Sequence, residues 1–129
     1  MALQNFDSET HTQRPDLANR FLMGRLWNPR TAQHDHLLLQ FEQGKEVIPG
    51  TMKGGPILFG TFLARWEAEF LRLDWTCATR SQVFEGRTFA AVEQISGGRV
   101  KLNERWIEAD DGERPGFLSL EEPMSDEHR

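Results

Sequence analysis

The segment 56–73, PILFGTFLARWEAEFLRL, constrains the fold more than any other part of the 129-residue chain. Phe59, Phe62, Trp66, Phe70 and Leu73 are spaced by 3, 4, 4 and 3 residues, which is the repeat of one helix face. Leu58 and Leu63 widen the stripe, while Arg65, Glu69 and Arg72 fall off it. Pro56 suits a first helical turn, where its missing N–H costs nothing. Gly60, Ala64 and Ala68 add a line of small residues at i, i+4 and i+8. The spacing predicts a helix over 56–73 that is apolar around much of its circumference and so must be wrapped by other structure.

Elsewhere the pattern is extended. Residues 20–27, RFLMGRLW, read as a strand, and Asn28-Pro29-Arg30-Thr31 reads as a turn. In 34–42, HDHLLLQFE, Leu37, Leu39 and Phe41 share one face. Residues 43–55, with Gly44, Pro49, Gly50, Gly54 and Gly55, read as a loop. After Asp74 the period becomes two, and strands are expected at 76–84, 88–95 and 99–107. Glu85-Gly86-Arg87 and Ser96-Gly97-Gly98 read as the turns between them. In the last strand Val100, Leu102 and Trp106 form the buried face. The expected class is α+β, an antiparallel sheet wrapped around one central apolar helix. The expected organisation is a flexible arm at 1–19, one domain at 20–110 and an acidic flexible tail at 111–129.

Charge narrows the possible partners. The net charge is −5, and residues 108–129 hold eight acids against two arginines, or −6. The remaining residues carry 12 acids and 13 bases, or +1. A neutral body with scattered basic residues gives no drive toward a polyphosphate backbone, so no nucleic-acid partner is expected, an OB-like module included. No apolar run approaches the roughly 20 residues of a membrane helix. The start, MALQNFDSETHTQ, lacks the basic-then-apolar pattern of a secretory signal, and the one cysteine, Cys77, allows no internal disulfide. A cytoplasmic location is therefore expected.

Residues 54–110 carry a family resemblance. Pro56-Ile57-Leu58-Phe59-Gly60-Thr61-Phe62, Val83-Phe84-Glu85-Gly86-Arg87 and Gly97-Gly98-Arg99-Val100-Lys101-Leu102 resemble the helix-opening turn, later strand and hairpin of the hot-dog fold. The likeness is to MaoC-like hydratases and dehydratases in particular. It implies a pocket sized for an acyl thioester and a homodimer paired edge to edge. The family's catalytic Asp and His positions are taken by Leu26 and Thr31, and Phe59 replaces the helix-opening histidine. The hydratase dyad is therefore not carried over, and dehydratase, cyclase and thioesterase chemistry stay open.

Several residues could carry chemistry. His34 and His36 point to one face of a strand, with Asp35 on the other. Either histidine could serve as a general base, since imidazole titrates near neutrality. Glu67, on the expected helix, would orient that base or act in its place, as acidic residues on this helix do in many hot-dog thioesterases. An apolar substrate would lie along Phe59, Phe62 and Trp66, with Gly54 and Gly55 offering N–H groups to an anion. Cys77 reads as a small buried hydrophobe, and neither a metal nor a cofactor is expected. Two readings follow: a hot-dog enzyme or degenerate enzyme for an apolar acyl substrate, and a non-catalytic binding module for an apolar ligand or partner protein. A titratable dyad in the pocket would favour the first, and a lining of Phe, Trp and Leu the second.

Overall fold

In the computed structural model, which describes residues 14–29, 32–108 and 114–124, the segment 56–73 is not a helix but most of a β-hairpin. The element order is β1 (Phe21–Asn28), β2 (Gln33–Phe41), β3 (Ile48–Gly54), β4 (Ile57–Glu67), β5 (Phe70–Ala78), β6 (Val83–Gln94), β7 (Val100–Glu108) and β8 (Arg114–Glu121). Each strand pairs antiparallel with the next, and β8 pairs back onto β1, so the eight strands close a barrel. This replaces the expected α+β, hot-dog-like sheet around a central helix with an all-β architecture. Closure leaves no strand at the end of a sheet, although β6 and β7 pair only from Ala91–Asn103 to Gln94–Val100.

The helical reading fails because both faces of β4 and β5 carry large apolar side chains. Gly60, Phe62, Ala64 and Trp66 alternate inward, followed by Leu71, Leu73, Trp75 and Cys77 on β5. The outer face also holds Phe59, Leu63 and Phe70, at 57%, 47% and 41% exposure. Choosing large residues from both faces produces a spurious 3–4 spacing across a period-two pattern. The turn itself is also disguised. Ala68 and Glu69 join Glu67 to its partner Phe70, and Ala68 takes φ 55°. A first turn residue at positive φ is ordinarily glycine, whereas alanine is the strongest helix former.

β1 and β2 fall on the segments read as strands, and Gly97 and Gly98 take the positive φ expected of a turn. The loop reading of 43–55 gives way to β3 from Ile48 onward, because Pro49 and Gly50 lie within a strand. Of the expected arm, residues 1–13 lie outside the described set, but Leu17 is completely buried. Of the expected acidic tail, 111–113 and 125–129 lie outside it, while Arg114–Glu121 forms the strand that closes the barrel.

One end of the barrel is sealed. Leu17 packs with Leu22, Phe41, Leu71, Val100, Leu102 and Leu120, all without solvent exposure. Burying each such side chain contributes roughly 1.5–3 kcal/mol. Backbone bonds from Asn19 N–H to the Glu42 carbonyl (3.2 Å) and from Phe41 N–H to the Arg20 carbonyl (2.8 Å) hold the segment there. The Arg20 guanidinium donates to Glu122 at 2.5 Å, and the Glu122 carboxyl also accepts the Val100 N–H at 2.9 Å. Arg14 lies over the Trp66 ring, 5.4 Å from its centroid. The opposite end carries the β3–β4 and β5–β6 connections, the end of β1 and the start of β2.

Candidate functional site: the barrel lumen

Strand alternation sends every second side chain inward, and their sizes decide where space remains. Across β2 to β6 one register row reads Phe41, Gly50, Phe62, Trp75, Gly86. An added side-chain carbon at Gly50 would lie 2.2 Å from the Phe62 ring, and one at Gly86 would lie 2.5 Å from the Trp75 indole. The glycines thus make room for the rings. Over Gly50 the Phe41 and Phe62 rings meet edge to face at 5.0 Å between centroids. Toward the open end Gly60 and Cys77 stand beside Phe84 and the inward residues include the polar Asp35 and Gln82, and a cavity of about 810 Å³ opens there. That lies within the roughly 300–1,000 Å³ of small-molecule sites.

The cavity has an apolar body and a polar rim. Leu26, Leu37, Leu39, Met52, Phe62, Leu73, Leu102 and Leu118 form the body. Trp75 and Cys77 line it beside them, and burial pushes the Cys77 thiol up, away from the reactive thiolate. The Trp75 indole N–H donates to the Thr88 hydroxyl at 3.0 Å, which fixes the ring. Asn28, Asp35, Gly54, Thr79, Gln82 and Glu104 stand toward the open end. The Glu104 carboxyl accepts the Phe89 N–H at 3.3 Å. Burial raises its pKa above the ordinary value, and the bond from Phe89 opposes that rise.

The expected site residues are distributed over different parts of the molecule. His34 lies on the outside, its ring 4.8 Å from that of Trp27 and 6.0 Å from that of Phe117. His36 reaches the cavity rim, as does Gly54 (φ 137°). Gly55 (φ 55°) turns beside them against the Asp35 side chain. Phe62 lines the cavity, Phe59 lies exposed, and Trp66 sits at the sealed end under Arg14. Glu67 ends β4 at the sealed end, bound to Arg72 at 3.0 Å, so the structure does not bring it to His34 or His36.

Sequence reasoning missed Asp35, Trp75, Thr88 and Glu104 as lumen residues, although parity marked two of them. Asp35 is in step with Leu37, Leu39 and Phe41, and Glu104 with Val100 and Leu102.

The model of a family described as avidin-like protein matches residues 15–123. The chain belongs to the avidin-like family. Its match spans the sealing segment and all eight strands. Membership and barrel together overturn the hot-dog and MaoC-like resemblance, and the lyase chemistry drawn from it falls as well. The short glycine-centred motifs behind that resemblance mark strand and turn positions of an avidin-like barrel: Gly60 faces Cys77 and Gly86 faces Trp75. No curated protein and no solved structure matches the chain. No helix long and apolar enough to cross a membrane is present among the described residues.

Proposed function

We propose that this barrel is a non-catalytic binding module that holds one small molecule, its apolar body in the lumen and its polar end at the rim. The observation that carries the reading is the cavity of about 810 Å³, walled by leucines and a fixed indole, sealed at one end and open at the other. Avidin-like proteins bind small ligands such as biotin and often oligomerise, which supports the same reading. The lining holds His36, Asp35 and Glu104, but no hydrogen bond joins any two of them among the described residues, so they form no acid–base dyad. The Cys77 thiol is held protonated by burial, the Thr88 hydroxyl is engaged by Trp75, and His34 lies outside. A homodimer belongs to this reading too, formed through the outer faces of strands, where Phe59, Leu63, Phe70, Val83 and Phe89 are exposed.

The test is calorimetric titration with 1-octanol and with biotin. At least one should bind with a stoichiometry of one per chain, and Cys77→Trp, which fills the lumen, should abolish that binding while the protein remains folded by circular dichroism. Failure of both probes, or binding that survives in the filled variant, contradicts the reading.

A further inference from the structure

We propose that the lumen selects an organic cation, a primary ammonium or amidinium group carried on an apolar body. This rests on the binding reading above and names the ligand class. Asp35 and Glu104 face inward at the two ends of one register row, Asp35, Leu26, Leu118, Glu104, which crosses β2, β1, β8 and β7. Two carboxyl groups therefore look into one cavity from separate parts of its wall, with leucine between them.

Neither carboxyl has a cationic partner among the described residues. Asp35 makes no hydrogen bond or ion pair there, and its side chain lies against Gly55. Glu104 has the Phe89 N–H alone. It sits where the β6–β7 ladder stops, since pairing runs from Ala91–Asn103 to Gln94–Val100 and no further. The one guanidinium among the lining residues, Arg87, is held by Asp74 at 2.8 Å on the outer face. A partly buried carboxylate without a counter-ion is unfavourable. A ligand cation supplies that counter-ion, whereas a carboxylate ligand would add a further negative charge. The indole of Trp75, fixed by Thr88, adds an aromatic face of the kind that attracts cations.

The experiment compares octylammonium, 1-octanol and octanoate by calorimetry at neutral pH and low salt. Octylammonium should bind about tenfold or more tighter than 1-octanol, the gain expected of one charge-assisted hydrogen bond, and octanoate should bind weakest. In Asp35→Asn/Glu104→Gln the preference for octylammonium should vanish while 1-octanol binds as before. If the double variant does not fold, the single variants should each lose part of the preference. Equal binding of all three probes overturns the charge selection and leaves the lumen reading standing. A preference that survives the substitutions overturns its assignment to Asp35 and Glu104. Binding of none of the three overturns this proposal, and it overturns the lumen reading as well only if biotin also fails to bind.

Discussion

Gly86 stands directly across the β5–β6 ladder from Trp75, and the space its missing side chain leaves is filled by the indole. The position of the largest lumen side chain is thus set by the absence of one on the neighbouring strand. Gly86→Val should push the ring from its place and break its bond to Thr88. Overpacking of this kind costs about 1–3 kcal/mol. Thermal melts should show the loss, and tryptophan fluorescence should shift as the indole moves. An unchanged melt and spectrum would mean that Trp75 does not depend on Gly86.

Ala68 gives a sharp test of the hairpin against the helix. At φ 55° in a turn between Glu67 and Phe70, alanine is strained where glycine is not. Ala68→Gly should leave stability unchanged or raise it by about 1 kcal/mol. In a helix interior the same change would lower it by about 1 kcal/mol. A fall of that size on chemical denaturation would contradict the hairpin.

Glu104 and Asp74 should respond to pH in opposite ways. Burial raises the Glu104 pKa in the folded protein above the unfolded value of 4.5. The folded state therefore holds that proton more tightly, and this group's contribution to stability falls as pH rises through 4.5 and the folded value. Glu104→Gln should thus gain on the parent protein as pH rises across that window. At Asp74 hydrogen bonds from Arg87, then from Arg72, lower the pKa below 3.8. Its contribution is present above 3.8 and is lost as pH falls through the folded value. Asp74→Asn should therefore lose ground to the parent at neutral pH and draw level in strong acid. Denaturation curves at pH 3, 5 and 7 check both signs, and a variant-to-parent difference that is constant with pH would contradict them.

What the sequence revealed and what it hid have the same physical origin. Strands β1 and β2 are legible because Leu37, Leu39 and Phe41 alternate with residues of different character. β4 is illegible as a strand because Phe59 and Leu63 on its outer face match Phe62 on its inner face in size and apolarity. A turn through Ala68 rather than glycine removed the remaining clue. In the site, Asp35 and Glu104 are legible by parity alone, and no local rule predicts that a barrel closes over a carboxylate. Trp75 could not be placed until the β5–β6 register put it opposite Gly86.

The apolar outer face that misled the sequence reading also supports the expected dimer. Phe59 and Val83 lie on one outer row of β4–β6, and Leu63 heads the row that continues through Asp74 and Arg87. Sedimentation at micromolar concentration should give a dimer, and Phe59→Ser/Leu63→Ser should give a monomer of unchanged fold. A monomeric parent protein would remove the dimer from this account.

The central claim is that a small molecule sits inside the barrel, not on its apolar outer face. The most direct measurement is an intermolecular nuclear Overhauser experiment on the protein with bound octylammonium. Contacts from the octyl protons to the methyl groups of Leu39, Met52 and Leu73, all within the lumen, are the predicted result. Contacts confined to exposed residues such as Leu63 and Val83, with none to the lumen methyls, would contradict it.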